Sequence, residues 1–257
     1  MIIKSISKIK LFIKKIIYLC LLLLLISFFK KGVLPDKDVI DTRLLIEPAQ
    51  TKIINPQDIH FDYKSIDYVA QPLYEYSISG LVVSHNNPTG FGDIYHDDTS
   101  VDTKDLCITW GENLLTNDYK KINFYNGSTW CYSKYSEQVR FDFSKLSNNH
   151  LVTNNQKIRD IIEKVRVGDQ VSMKGKLVNY YYKSTPSSIR KTSITRNDNG
   201  AGACEVVFVE EFNVISKGKR YWFLIFSLAI KVILVLLILL LALFFIENKL
   251  KHSRSNH

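Results

Sequence analysis

Cysteine is scarce in this chain and never closely paired. The four residues, Cys20, Cys107, Cys131 and Cys204, form no CxxC, and no HExxH occurs anywhere. The usual sequence signatures of a zinc site are therefore missing. Acid is absent from the first 31 residues, which carry seven Lys. No A-x-A-like cleavage site follows the first apolar run, and Tyr18 and Leu19 before Cys20 do not fit lipoprotein processing. There is no internal repeat and no low-complexity tract. The middle of the chain also lacks an excess of either charge. Residues 32–220 hold 23 Lys and Arg against 24 Asp and Glu, a net of −1, although the whole chain carries +9. The basic excess belongs to the two ends, so steering toward nucleic acid is not expected.

What the chain has in quantity is apolar sequence near its ends. Tyr221 to Ile246 is interrupted only by Lys231 and closed by Glu247. That length exceeds the roughly 20 residues needed to cross a hydrocarbon core of about 30 Å. Lys231 reads as a snorkelling side chain, with a functional intramembrane charge as the alternative. The first run, Ile16 to Phe29, is shorter and is followed by Lys30 and Lys31. It reads as an uncleaved anchor, with a cleaved signal as the alternative. Two spans place both termini on one side. Five Lys in the first 15 residues, with Lys249, Lys251 and Arg254, bias that side toward the cytoplasm.

The expected divisions are a basic cytoplasmic N-terminus (1–15), a transmembrane helix (16–31), an extended lead-in (32–70), a β domain (71–216), a second transmembrane helix (221–246) and a basic cytoplasmic tail (247–257). The domain would be held close to the membrane by the short stretch Ser216 to Arg220. The expected setting is integral to a membrane, with the domain on the non-cytoplasmic side.

Within the domain, period-2 alternation predicts strands from Leu73, at Leu106–Trp110, around Val139–Phe143, from Val171 and at Cys204–Ile215. Asn126-Gly127 suits the turn of a hairpin spanning 121–135. Ile158, Ile161, Ile162 and Val165 have helical spacing, opened by Asn154 or Asn155 and stopped before Gly168. Strands, one helix, then two strands, with Gly175 at a bend, predict a mainly β fold: a small OB-like barrel with one α-helix, flanked by the two transmembrane helices. An SH3-like or other small barrel is the alternative.

The segments QPLYEYSISGLVVSHNN, DLCITWGENL, LSNNHL, VRVGDQVSMKGKLV and GACEVVFVEEF, spread over roughly Pro48 to Ile215, together resemble a family of uncharacterised bacterial membrane proteins. That resemblance, to proteins with an OB-like extracytoplasmic domain between two transmembrane segments, implies a bacterial membrane setting, here the inner membrane. It carries over no functional residue.

Three constellations are candidates for chemistry. Cys107 and Cys131 sit on strands that are expected to be neighbours and form the favoured disulfide pair, with buried thiols as the competing reading. Asp93, His96, Asp97 and Asp98, with Asp102 and Asp105, fill a loop over 85–105 whose oxygen-rich composition permits a hard cation but matches no known spacing, so a solvated acidic loop is preferred. Between the last two strands, Arg190, Lys191, Arg196, Gly200 and Gly202 either pair with that acidic loop or take an anionic group. No His adjoins a Cys in sequence, so no catalytic residue is assigned, and no cofactor is expected. Twelve Tyr between Gly32 and Arg220 fit sheet packing better than base stacking. The leading expectation is a non-enzymatic domain that binds a protein partner or an envelope ligand at the membrane. The alternatives are a structural subunit of a membrane complex, and an enzyme or metal-dependent site on the 85–105 and 184–203 loops.

Overall fold

A computed structural model describes residues 2–88, 100–127, 130–136, 138–195 and 204–255. In chain order its main elements are α1 (Ile2–Lys30), β1 (Ala49–Lys52), β2 (Ile59–Tyr63), β3 (Ile66–Asn86), β4 (Asp102–Thr109), β5 (Asn123–Asn126), β6 (Cys131–Lys134), β7 (Leu146–Val152), α2 (Gln156–Glu163), β8 (Gln170–Tyr182), β9 (Thr185–Arg190), β10 (Glu205–Ser216) and α3 (Tyr221–Ser255). They form two units. One contains residues 34–218 and the other the two end helices.

In the helical unit, apolar composition continues almost without a break, so each helix runs longer than its most apolar stretch. The basic residues 1–15 are not a separate arm but the first turns of α1, and α3 continues through the basic tail to Ser255. Both helices are long and apolar enough to cross a membrane, over Ile3–Lys30 and Tyr221–His252. They lie antiparallel: Lys10 Nζ is 2.6 Å from Glu247 Oε2, while at the other end Lys31 sits 3.8 Å from the centre of the Phe226 ring. The covered residues of α1, Ile6, Ile13, Cys20 and Ser27, recur every seven positions. That period is the seam of a left-handed helix pair, and small side chains on it let the backbones approach. Lys231 lies off this seam, on the exposed side of α3.

The β unit is organised by β3, a strand of 21 residues. Pro72 lies inside it and cannot donate to the ladder; the register shifts between Pro72 and Tyr74 to accommodate it. Residues 34–70 show no clear periodicity and hold Pro35, Pro48 and Pro56, so the sequence predicts regular structure only from Leu73. The lead-in is correspondingly richer than a plain extended segment. It contributes β1 and β2, both antiparallel to β3, and buries Leu34 and Leu44.

Strand pairing runs β3–β4–β7–β10–β8 and returns from β8 to β3. All contacts in this ring are antiparallel except β7–β10, which is parallel. One hydrophobic core takes residues from all five strands, among them Ile78, Leu106, Leu151, Leu177 and Val207, together with Ile162 of α2 and Val165 just after it. The ring is not a barrel: β1, β2 and β9 continue the eight-stranded sheet beyond it, and a second core lies on the opposite face of β7 and β10, where Val152, Val206 and Phe208 meet Phe61, Tyr68 and Tyr180. The fold is thus largely β sheet with three helices, and the expectation of a small barrel is too simple.

Helix α2 begins as expected: the Asn155 side chain accepts hydrogen bonds from the Lys157 and Ile158 amides. Its expected apolar stripe is narrower than the spacing suggested, since Ile161 is exposed. The hairpin also forms, with β5 paired to β6 in a small separate sheet. Residues 139–142 are not a strand; the neighbouring strand is β7, which the sequence reading passed over because Ser147, Asn148, Asn149 and His150 are all polar. β9 lies within the stretch 184–203 that the sequence presents as a loop.

Gly175 marks a close approach of strands. A Cβ there would lie 2.1 Å from the Phe208 carbonyl oxygen, whereas nothing lies within 4 Å at Gly32. Gly175→Ala is expected to cost on the order of 3 kcal/mol through forced backbone displacement, read as a lowered urea midpoint. Gly32→Ala is expected to leave that midpoint unchanged.

Candidate functional site

Polar side chains are seldom fully buried without partners or purpose. Here they are concentrated on two neighbouring strands. Asp102, Thr103, Lys104 and Asp105 open β4, every residue of which is buried, and Ser147, Asn148, Asn149 and His150 occupy β7. Antiparallel register sets Asp105 opposite His150 and Cys107 opposite Asn148. Parallel register sets Glu205 beside Asn149, which brings Cys204, one residue earlier, to the same strand.

The contacts form a chain. Asp105 Oδ1 is 2.6 Å from His150 Nδ1. The Cys204 side chain also interacts with the His150 imidazole. Asn148 Nδ2 lies 3.4 Å from His150 Nε2 and donates to Cys204 Sγ at 3.5 Å. Asn148 is itself held by Asn126 of the hairpin, whose Nδ2 donates to Asn148 Oδ1 at 3.1 Å. A disulfide joins Cys107 to Cys131 with 5.9 Å between Cα atoms, fastening the hairpin to β4 two residues from Asp105. His150 and Asp105 have no exposed surface, and Cys204 is partly exposed.

Burial disfavours the imidazolium form of His150. The Asp105 carboxylate and the hydrogen bonds to Asp105 and Cys204 outweigh that penalty, even against the opposing charge of Arg190, and push the imidazole up to about 9. A buried carboxylate–imidazolium pair therefore exists at neutral pH. Arg190, at the end of β9, is half-buried. Its guanidinium is held above its usual range by Asp102, Tyr180, Asp105 and Cys204, in spite of desolvation. Tyr180 donates to Asp102 Oδ2 at 2.5 Å, and Ser100 donates to the same oxygen at 3.2 Å.

Two further buried cations support the frame rather than the site. Lys104 Nζ donates to the carbonyls of Glu163 and Val165 at 2.9 and 2.8 Å, closing the C-terminal end of α2. Arg159 donates to the Thr153 carbonyl at 2.9 Å and lies 4.0 Å from the centre of the Tyr63 ring. His85, on β3, is held neutral: burial, followed by the charges of Lys104 and Arg166, lowers its imidazole to about 3.

The residues singled out from the sequence are only partly gathered here. Asp102 and Asp105 belong to β4, not to a solvated loop, and the charge of Arg190 is engaged by these two carboxylates. Lys191 is exposed. Asp93, His96, Asp97 and Asp98, as well as Arg196, Gly200 and Gly202, lie outside the described residues. Among the described residues no three His, Cys, Asp or Glu side chains are arranged to hold a metal ion. His150, Asn148 and Cys204 were missed as a group because 54 residues separate the imidazole from the thiol. The one available signal was LSNNHLV, a polar run that ends in two strand-forming residues.

The chain matches no known family model, no curated protein and no solved structure. Its class is what its own geometry defines: a largely β unit lying in sequence between two helices able to span a membrane, with a buried polar cluster on its interior strands β4 and β7.

The two imidazoles predict a bell-shaped stability profile. His150 has a raised folded value, so its contribution is complete below its ordinary 6.5 and is lost as pH rises through about 9; it amounts to on the order of 3 kcal/mol. His85 has a depressed folded value, so its contribution is present above 6.5 and is lost as pH falls toward about 3. Melting temperature is expected to peak between pH 6 and 7, an interval roughly centred on the ordinary histidine value. His150→Gln should flatten the alkaline limb and His85→Gln the acid limb, as read by scanning calorimetry.

Proposed function

We propose that this is a two-anchor membrane protein whose central domain, on the non-cytoplasmic side, binds a protein partner at the membrane. The observation that carries this reading is the arrangement of the chain. One disulfide-bonded β unit is enclosed in sequence between two helices long and apolar enough to span a bilayer. Disulfides persist in oxidising compartments. The clustering of basic residues at the helix ends nearest the termini favours cytoplasmic termini and a non-cytoplasmic domain. A bacterial inner membrane is the setting implied by the sequence resemblance.

The OB-like reading of the domain belongs to the same proposal. It is supported by the order of pairing: β3 contacts both β4 and β8, β7 runs parallel to β10, and α2 stands between β7 and β8. The partner-binding reading is supported by β1, an exposed strand at the sheet edge, and by the exposed Ile46 before it. Beside β1 lies a groove of about 200 Å³ lined by Arg43, Glu47, Ser79, Lys174 and Glu211, charges of both signs that suit a polypeptide segment. An extended segment adding to such an edge gains backbone hydrogen bonds, and flanking side chains select it. In the second reading the protein is a structural subunit of a membrane complex, which the exposed apolar faces of α1 and α3 favour.

Two measurements test the proposal. In intact cells treated with a reductant and a membrane-impermeant maleimide, Cys131 is expected to label without permeabilising the inner membrane; labelling only after permeabilisation overturns the topology. A photo-crosslinking residue at Gln50 on β1 is expected to capture one discrete partner band that is absent when the probe stands at Ser188. Equal yields at the two positions would remove β1 as the docking edge.

A further inference from the structure

The Asp105–His150–Cys204 chain contains more than a buried ion pair requires. A structural carboxylate–histidine pair needs nothing at the second ring nitrogen, yet here Asn148 Nδ2 lies 3.4 Å from it and directs an N–H at the Cys204 sulfur 3.5 Å away. Asp105 Oδ2 is buried and takes no hydrogen bond from the described residues, so its charge is left to act on the imidazole and on Arg190. We propose that Cys204, His150, Asn148 and Asp105 form a nucleophilic thiol site that accepts an acyl group from an ester or thioester substrate.

Each residue has a role set by where it sits. Cys204 is the nucleophile and the one member of the group with solvent exposure. His150 is the proton carrier. Its Nδ1 is bound to Asp105, which leaves Nε2 on the side of Asn148, whose Nδ2 lies 3.4 Å from that nitrogen and 3.5 Å from the sulfur, so that imidazole and thiol share one neighbour as nucleophile–base pairs require. Asp105 is a positioning residue that fixes the ring and the tautomer. Asn148 Nδ2, 3.5 Å from Sγ, is placed to donate to the oxygen of a carbonyl under attack. Because His150 is already the imidazolium, Cys204 attacks as the thiolate, its proton released to solvent, and a sulfur lone pair forms a bond to the carbonyl carbon. The carbon–oxygen or carbon–sulfur bond to the leaving group breaks, and the leaving group takes its proton from Nε2. The products are an S-acyl Cys204 and a free alcohol or thiol. Water then attacks the thioester, giving a carboxylic acid and restoring the thiol. No oxidant or reductant is needed. Burial of His150 and Asp105 behind the thiol keeps the proton carrier dry, which strengthens its interaction with the carboxylate.

The test uses the full chain in lipid nanodiscs, with p-nitrophenyl acetate as the probe. Expected is one acetyl group on the Cys204 peptide by mass spectrometry, formed about 100-fold faster than on N-acetylcysteine amide at the same pH. Because removing one partner of a buried pair destabilises a fold, the first comparison is Cys204→Ser, which exchanges a single atom and should abolish acetylation there. His150→Gln is expected to reduce the rate about 100-fold in protein that still melts cooperatively. Asp105→Asn should move the pH midpoint of acetylation, which a packing role would leave in place. Acetylation of Cys204 no faster than that of the free thiol overturns the proposal, as does an unchanged rate in folded His150→Gln. The reaction is read in purified protein, so its outcome is separate from that of the topology and partner experiments.

Discussion

Ring closure between β3 and β8 is the constraint on which the rest of the β unit depends. The two strands pair along most of their lengths, from Tyr68 opposite Tyr182 to Leu81 opposite Gln170. That ladder brings together residues about a hundred positions apart, and loop closure over such a distance has to be offset by the contacts it makes possible. It is made possible locally by two concessions: a shift of register beside Pro72, and a glycine at 175 where β8 passes against the Phe208 backbone. Once β3 holds β8 on one side and β4 on the other, β10 has one place left, between β8 and β7.

That placement explains the polar cluster. β7 is enclosed between β4 and β10, with one hydrophobic core on one of its faces and a second core on the other. Its side chains cannot reach solvent, so each polar one has to find a partner within the sheet. Asp105 is the partner available to His150 across the antiparallel contact, and the start of β10 delivers Cys204 across the parallel one. The disulfide and the Asn126–Asn148 hydrogen bond add the hairpin above them. The ion pair stands in a low-dielectric setting, which is why its protonation is coupled to the stability of the fold.

The helical unit obeys a different rule. Its outward surface is largely apolar, so association of its helices cannot come from the hydrophobic effect alone. The seam instead uses a seven-residue repeat with small or polar members, Cys20 and Ser27, and is marked at its ends by Lys10 with Glu247 and Lys31 with Phe226. The lysines that look like a simple topogenic flank in the sequence therefore include two that hold the helix pair.

Much was legible before the structure. Apolar length announced both helices, turn chemistry announced the β5–β6 hairpin, and the 3.6-residue period with Asn155 announced α2, because each of these depends on neighbours in sequence. Period-2 alternation found β8 and β10, where one face is apolar. It failed for β7 and the beginning of β4, since a strand buried on both faces need not alternate, and it failed at Pro72, where a bulge absorbs the missing donor. Pairing of Asp105 with His150, and of His150 with Cys204, left no mark in the linear sequence. Those contacts depend on register between strands from distant parts of the chain, and register is decided by ring closure. The sequence by itself determined the classes of element and the two apolar ends; tertiary pairing alone decided which polar residues would share a buried cluster.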